Sequence, residues 1–258
     1  MSDFDRNAQV WGAGRAQQTS AVEVDQGLRS FMLGVYNNMS IGLAITGLMA
    51  IGISMLAIAG YSPSGKVTAL TPLGQALYLS PLKWVVMLAP LAFIFFFSFK
   101  AESMSSSTAR AMFFAFAAVM GISLSSIFVV FTGESIAKVF FITAASFAGL
   151  SLFGYTTKKS LSGIGSFLIM GLIGLVIASV VNIFLASSAL SFAISVIGVL
   201  VFAGLTAWDT QRLKEMYLYS DMDAESAAKL SVNGALSLYL NFVNMFQMLL
   251  SLFGSRQE

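Results

Sequence analysis

The chain has 258 residues, 57% of them hydrophobic, with 14 Lys/Arg, 12 Asp/Glu, a net charge of +2 and a mean hydropathy of +0.82. Charged residues make up 10%, against about 25% in a soluble domain, so most of this chain has lipid as its solvent. There is no Cys and no His. Their absence excludes disulfides, thiol nucleophiles, thiolate or imidazole metal sites and His-based triads, and the small net charge without a basic cluster excludes nucleic-acid binding.

Residues 1–30 form a polar arm of mixed charge with no secretory signal pattern, expected on the cytoplasmic side. Leu28, Phe31, Met32, Val35, Tyr36 and Met39 then recur at helical spacing. This stripe either lies in the membrane interface or simply extends the first span. Residues 31–258 read as one transmembrane domain. Its seven apolar stretches run Val35–Ala59, Leu82–Phe99, Ala111–Thr132, Ser135–Tyr155, Gly165–Ala186, Ser191–Asp209 and Ser231–Phe253, each near the length of about 20 residues that a spanning helix needs. The expected fold is therefore all-α, a polytopic bundle of seven helices. A count of six would make one stretch re-entrant.

The connections carry their own signals. Gly133 and Glu134 leave room only for a tight hairpin between the third and fourth spans. In the longest connection, Gly60–Pro81, residues Pro63, Gly65, Pro72 and Gly74 mark turns. Pro90 lies inside the second span, where it frees a carbonyl that neighbouring helices must accommodate. Basic residues set the orientation: with the N-terminus inside, Lys and Arg divide ten to four in favour of the cytoplasm, which predicts N-in and C-out for an odd number of spans.

Polar groups within spans are costly unless they find partners. In the last span Asn233, Ser237, Asn241, Asn244, Gln247 and Ser251 share an arc of roughly 120°. Leu236, Tyr239, Val243, Met245, Leu249 and Leu250 take the opposite face. Such a helix is expected to be buried in the bundle, near its centre. The amide stripe either lines a polar pathway or serves as interhelical glue, worth about 0.6 kcal/mol per contact. Asp209 closes the sixth span in Thr206-Ala207-Trp208-Asp209-Thr210-Gln211-Arg212. It sits at membrane depth as an ion-contacting group, or pairs with Arg212 one turn on. Asn182 reads as glue, and Gly121/Ser125 and Ala145/Gly149 as small-residue packing pairs.

The segment Ala207-Trp208-Asp209-Thr210-Gln211-Arg212-Leu213-Lys214, followed by Leu236-Ser237-Leu238-Tyr239-Leu240-Asn241-Phe242-Val243-Asn244-Met245-Phe246, resembles the transmembrane Bax-inhibitor-motif family, bacterial branch. The approach Gly27-Leu28-Arg29-Ser30-Phe31-Met32 into Tyr36-Asn37-Asn38-Met39 resembles its N-terminal entry. The resemblance implies seven spans with the last near the centre, a bacterial inner-membrane location, and a pH-modulated leak of calcium or another cation. It also implies a latch of two aspartates sharing a proton. The first of these maps to Asp209, and the second falls on Asn241. An amide there abolishes like-charge repulsion, can donate to the carboxylate, and leaves a calcium ligand set one charge short.

Two functions follow as expectations. In the first, the chain is a cation leak with Asp209, Asn241, Asn244, Asn233 and Ser237 along its pathway or gate, and Arg212 as a pairing partner. In the second, it is a non-conducting regulator of membrane proteins, as the resemblance to modulators of a membrane-bound AAA protease implies, with the N-terminal arm as contact. An intramembrane enzyme has no support from one carboxylate without His or Cys, and neither a cofactor nor a resident metal is expected.

Overall fold

The computed structural model describes residues 3–62, 66–100, 103–220 and 222–256, with side chains from Gln26 onward, Ser98 excepted. Nine helices and one small hairpin account for the described residues. Helix α1 (Asp3–Ala57) is followed by β1 (Ile58–Tyr61), β2 (Val67–Leu70), α2 (Pro72–Tyr78) and α3 (Leu82–Lys100). Then come α4 (Ser106–Leu124), α5 (Ile127–Val130), α6 (Gly133–Thr156), α7 (Ser162–Leu185), α8 (Ser188–Tyr219) and α9 (Ala224–Phe253). Six of these segments are long and apolar enough to cross a membrane, with α4 and α5 counted as one, and the protein is an all-α integral membrane protein. A seventh span results if α2 and α3 are one span bent by 62°.

Short polar residues start five of the helices, each lending a side-chain oxygen to an otherwise orphaned N–H. Thr71 accepts from Gly74 N, Ser105 from Thr108 N, Thr132 from Ser135 N, Ser187 from Leu190 N and Asp223 from Ser226 N. The α7–α8 turn needs more, because Ala186 adopts φ 47°, a left-handed conformation that costs about 1–2 kcal/mol without glycine. Asn182 holds it: its Oδ1 accepts from Ser187 N at 3.1 Å and its Nδ2 donates to Ser191 Oγ at 2.7 Å. Asn182 thus joins α7 to α8, as expected of interhelical glue, and clamps the turn between them as well.

The structure decides several other expectations. Helix α1 passes residue 30 without a break, so the apolar stripe extends the span. The arm's side chains at 1–25 lie outside the described residues, as do Pro63 and Gly65. The connection after α1 is the β1–β2 hairpin followed by α2, pinned where Gly74 meets the Ala57 carbonyl and Thr71 N donates to the same carbonyl at 2.9 Å. Helix α3 runs through Pro90; the bend falls between Tyr78 and Leu82. Of the two small-residue pairs, Gly121 packs against Thr46 of α1, whereas Gly149 has nothing within 4 Å of a would-be Cβ.

The core is organised on α9, which packs against α8, α1, α6 and α4. Fifty-six per cent of its apolar window is buried inside the protein, against 11% for α7, which is therefore peripheral. Tyr239 lies at the heart of this core, fully buried. Phe113 and Phe116 of α4 meet its ring edge-on at 5.4 and 5.9 Å, an arrangement favoured by the ring quadrupoles. Its hydroxyl reaches Thr46 Oγ1 at 2.6 Å. Thr46 has one proton and two carbonyl acceptors, Gly42 O and Ala117 O, so Tyr239 is the donor of that bond. On the next face, Phe242 meets Phe140 and Phe147 of α6 at 5.5 and 5.6 Å.

Candidate functional site

Helix α8 does not end at Asp209 but continues ten residues to Tyr219. Successive side chains on a helix point about 100° apart, so a short run can address several neighbours at once. In Trp208-Asp209-Thr210-Gln211 each residue does so. Trp208 lies across Gly165 of α7, where a Cβ would come within 2.8 Å of the indole Cζ2. Asp209 turns to α9, and Asn241 Nδ2 donates to its Oδ2 at 2.7 Å. Thr210 turns to α6, with its Oγ1 3.0 Å from Ser151 Oγ. Gln211 reaches the α6–α7 connection, where its Oε1 accepts from Leu161 N at 2.7 Å and its Nε2 donates to Lys159 O at 2.9 Å.

The Thr210 contact is one link in a directed chain. Thr210 Oγ1 donates to Thr206 O at 2.8 Å, which commits its only proton. Ser151 must then donate to Thr210, and Tyr36 of α1, 2.6 Å from Ser151 Oγ, must donate to Ser151. Helices α1, α6 and α8 are thus tied by hydroxyls in the turn beside Asp209. Tyr36 and Ser151 are the residues that sequence reasoning missed. Tyr36 was counted as part of an apolar stripe, and no spacing in the sequence signals that two hydroxyls 115 positions apart will meet.

Arg212 acts on Asp209 through its charge and not through a salt bridge within 4 Å among the described residues. Its guanidinium lies over the Trp208 ring, 5.3 Å from the centroid. Residues 208 and 209 both neighbour 212 on the helix, but the Asp209 carboxylate is held by Asn241.

The rest of the polar stripe is placed differently from the expectation. Asn241 is 5% exposed, but Asn233, Ser237 and Ser251 are exposed, and Asn244 and Gln247 are half-buried. Asn244 Nδ2 donates to its own helix at Leu240 O, 2.8 Å away. The opposite face, from Leu236 and Tyr239 to Leu250, is buried as expected. Two neighbours bracket the open arc. Helix α8 covers α9 at Gly234, Asn241 and Met248, and α4 covers it at Tyr239. Asn233 and Ser237 fall between these arcs, so the stripe is not buried along its length. One carboxylate and one amide are brought together, and an amide and hydroxyl face is left uncovered beside them. Among the described residues no group of three or more His, Cys, Asp or Glu gathers to hold a metal ion.

Known sequences match this chain over most or all of its length. The profile of the family described as "Inhibitor of apoptosis-promoting Bax1" (Bax1-I) matches residues 28–258. A protein of Caulobacter vibrioides is 46% identical over all of this chain and all of its own length. The Escherichia coli "Inner membrane protein YbhL" is 41% identical over 92% of this chain and 97% of that one. The Rickettsia prowazekii protein RP147 is 42% identical over 91% of this chain and 93% of its own.

Proposed function

The chain belongs to the Bax1-I family, and on that premise we propose that it is a non-enzymatic leak for calcium or another cation, gated at Asp209 and Asn241. The observation that carries this reading is the 2.7 Å bond across α8 and α9, beside the uncovered face of Asn233, Ser237 and Asn244. Amides facing hydrocarbon are costly, and their usual place in a membrane protein is against protein or a water-filled cavity. An aqueous path along this face would give a permeating ion oxygen ligands from Asn244 through Asp209 to Ser237 and Asn233. Calcium takes six to eight oxygen ligands when held tightly. A lone carboxylate supplies too few, which suits passage rather than retention.

The proposed architecture has seven spans, with α2 and α3 as one bent span and α9 at the centre. The four helices packed around α9 support the central position, and the basic residues support a cytoplasmic N-terminus. The printed name of the E. coli relative supports the inner membrane. With Asn241 in place of a second acid, the gate lacks a proton-sharing pair, so its conductance follows the titration of the single Asp209 carboxylate. Asn241 instead holds the carboxylate aimed at α9, and an ion must compete with that amide.

The test is calcium flux into liposomes containing only the purified protein, scanned over pH. Asp209→Asn should lower flux where Asp209 is ionised, and deletion of residues 1–25 should leave it intact. Asn241→Asp should make it steeply pH-dependent, because two carboxylates at this distance cannot both ionise cheaply. Absence of flux from every folded, inserted variant would refute the leak. Regulation of a partner such as a membrane-bound AAA protease, through the N-terminal arm, would then be the surviving reading.

A further inference from the structure

A second feature lies apart from the Asp209 site, on the flank where α1 faces α6. Residues Arg29, Met32, Leu33 and Tyr36 form one face of α1, and Phe147, Ala148, Ser151, Leu152 and Tyr155 one face of α6. They enclose a groove of about 540 Å³. The two helices run antiparallel here, so Arg29 and Tyr155 stand at the same end. Eight residues of rise make the groove about 12 Å long, most of one leaflet of a hydrocarbon core about 30 Å thick. Its long walls are apolar, and Leu33 and Leu152, 58% and 63% exposed, flank a lateral opening to lipid.

The charged end is set at the depth of headgroups. Arg29 lies six residues before the apolar stretch that opens at Val35, and Tyr155 closes the stretch that opens at Ser135. Its side chain is exposed, and among the described residues no carboxylate pairs with it. A second cation stands at the same end: Lys214 Nζ donates to Tyr155 O at 2.9 Å and lies 5.2 Å from the Tyr155 ring centroid. An apolar trench most of one leaflet long, with a guanidinium lining its polar end and an ammonium on Tyr155 beside it, matches one class of ligand in its surroundings.

We propose that this groove is a binding site for an anionic phospholipid, with its phosphate on Arg29 and an acyl chain between Leu33 and Leu152. The lipid would bridge α1 and α6, which the Tyr36–Ser151 hydrogen bond ties at the groove floor.

The experiment uses the full-length protein in nanodiscs with spin-labelled phosphatidylglycerol or phosphatidylcholine, the label being on the acyl chain. The motionally restricted fraction of each lipid is measured by electron paramagnetic resonance. Phosphatidylglycerol should associate about fivefold more strongly than phosphatidylcholine, the order expected for one basic side chain at a membrane surface. Arg29→Gln should bring the two lipids toward parity. Ala148→Trp, which fills the trench from an exposed position, should remove the restricted signal of the site for both.

Equal association of the two lipids with the unmodified protein would overturn the proposal. So would a preference that survives Arg29→Gln, or a restricted fraction unchanged by Ala148→Trp. The chain has no cysteine, so Ala148→Cys gives a single thiol. Disulfide dimers formed through it in the bilayer would show that a second copy covers the groove, which also overturns the proposal.

Discussion

Gly154 is where α6 and α8 come closest beside the candidate site. A Cβ there would overlap the Ala207 carbonyl oxygen and lie 2.9 Å from the Ala207 Cα. Carbon pairs prefer about 3.5–4.0 Å, so Gly154→Ala must part the two helices by about 0.6 Å or more. A gap of that size forfeits roughly a quarter to a half of each facing contact, and overpacking of this kind costs about 1–3 kcal/mol. It also stretches the 3.0 Å Ser151–Thr210 bond, three residues from Gly154 on one side and three from Ala207 on the other. Gly149, in the same helix, has nothing within 4 Å of a would-be Cβ. Both substitutions gain the same helix propensity, about 1 kcal/mol, so their difference isolates the steric cost. In a chain of this size each kcal/mol moves Tm by about 2–4 °C. Thermal unfolding in one detergent should therefore place Gly154→Ala roughly 2–12 °C below Gly149→Ala. Equal Tm values would refute the close α6–α8 approach on which the geometry of the site depends.

Three further outcomes test other parts of the structure. Tyr239→Phe removes one bond at the core while Thr46 keeps its carbonyl acceptors, so the loss should be about 0.6 kcal/mol and below about 1.7; a larger fall in denaturant stability would mean that the hydroxyl does more than tie α1 to α9. Gln211→Ala leaves Leu161 N–H without its acceptor, which costs about 1–3 kcal/mol for a buried group, and amide exchange at residues 159–162 should accelerate while exchange in α9 stays unchanged. Asp223 caps α9, and the Ser226 side chain and N–H hold its carboxyl below the ordinary value of 3.8. A depressed folded value stabilises above the unfolded pKa and is lost as pH falls through the folded one. Asp223→Ala should therefore speed exchange in the first turn of α9 at neutral pH and make no difference in strong acid; an equal effect at both would refute the charged cap.

The membrane class, the bundle of long helices and the sites of most turns were legible in the sequence. They depend on properties summed along the chain: runs of about 20 apolar residues, Ser, Thr or Asp before five of the helices, and the spread of Lys and Arg. Asp209 and Asn241 were also legible, because a carboxylate and an amide at membrane depth are conspicuous by their cost. Their contact was not, nor were the exposure of Asn233 and Ser237 and the departure of Arg212 to Trp208. A helical wheel ranks faces by polarity, but which arc is covered depends on where α4 and α8 stand around α9. The hydroxyl chain from Tyr36 through Ser151 to Thr210 and the role of Asn182 at the Ala186 turn belong to the same class. The sequence by itself determined the solvent, the elements and the residues whose burial needs a partner, since these follow from transfer energies counted residue by residue. The tertiary structure alone decided which partner each one has, because a hydrogen bond forms only within about 3 Å, and helix packing sets that distance.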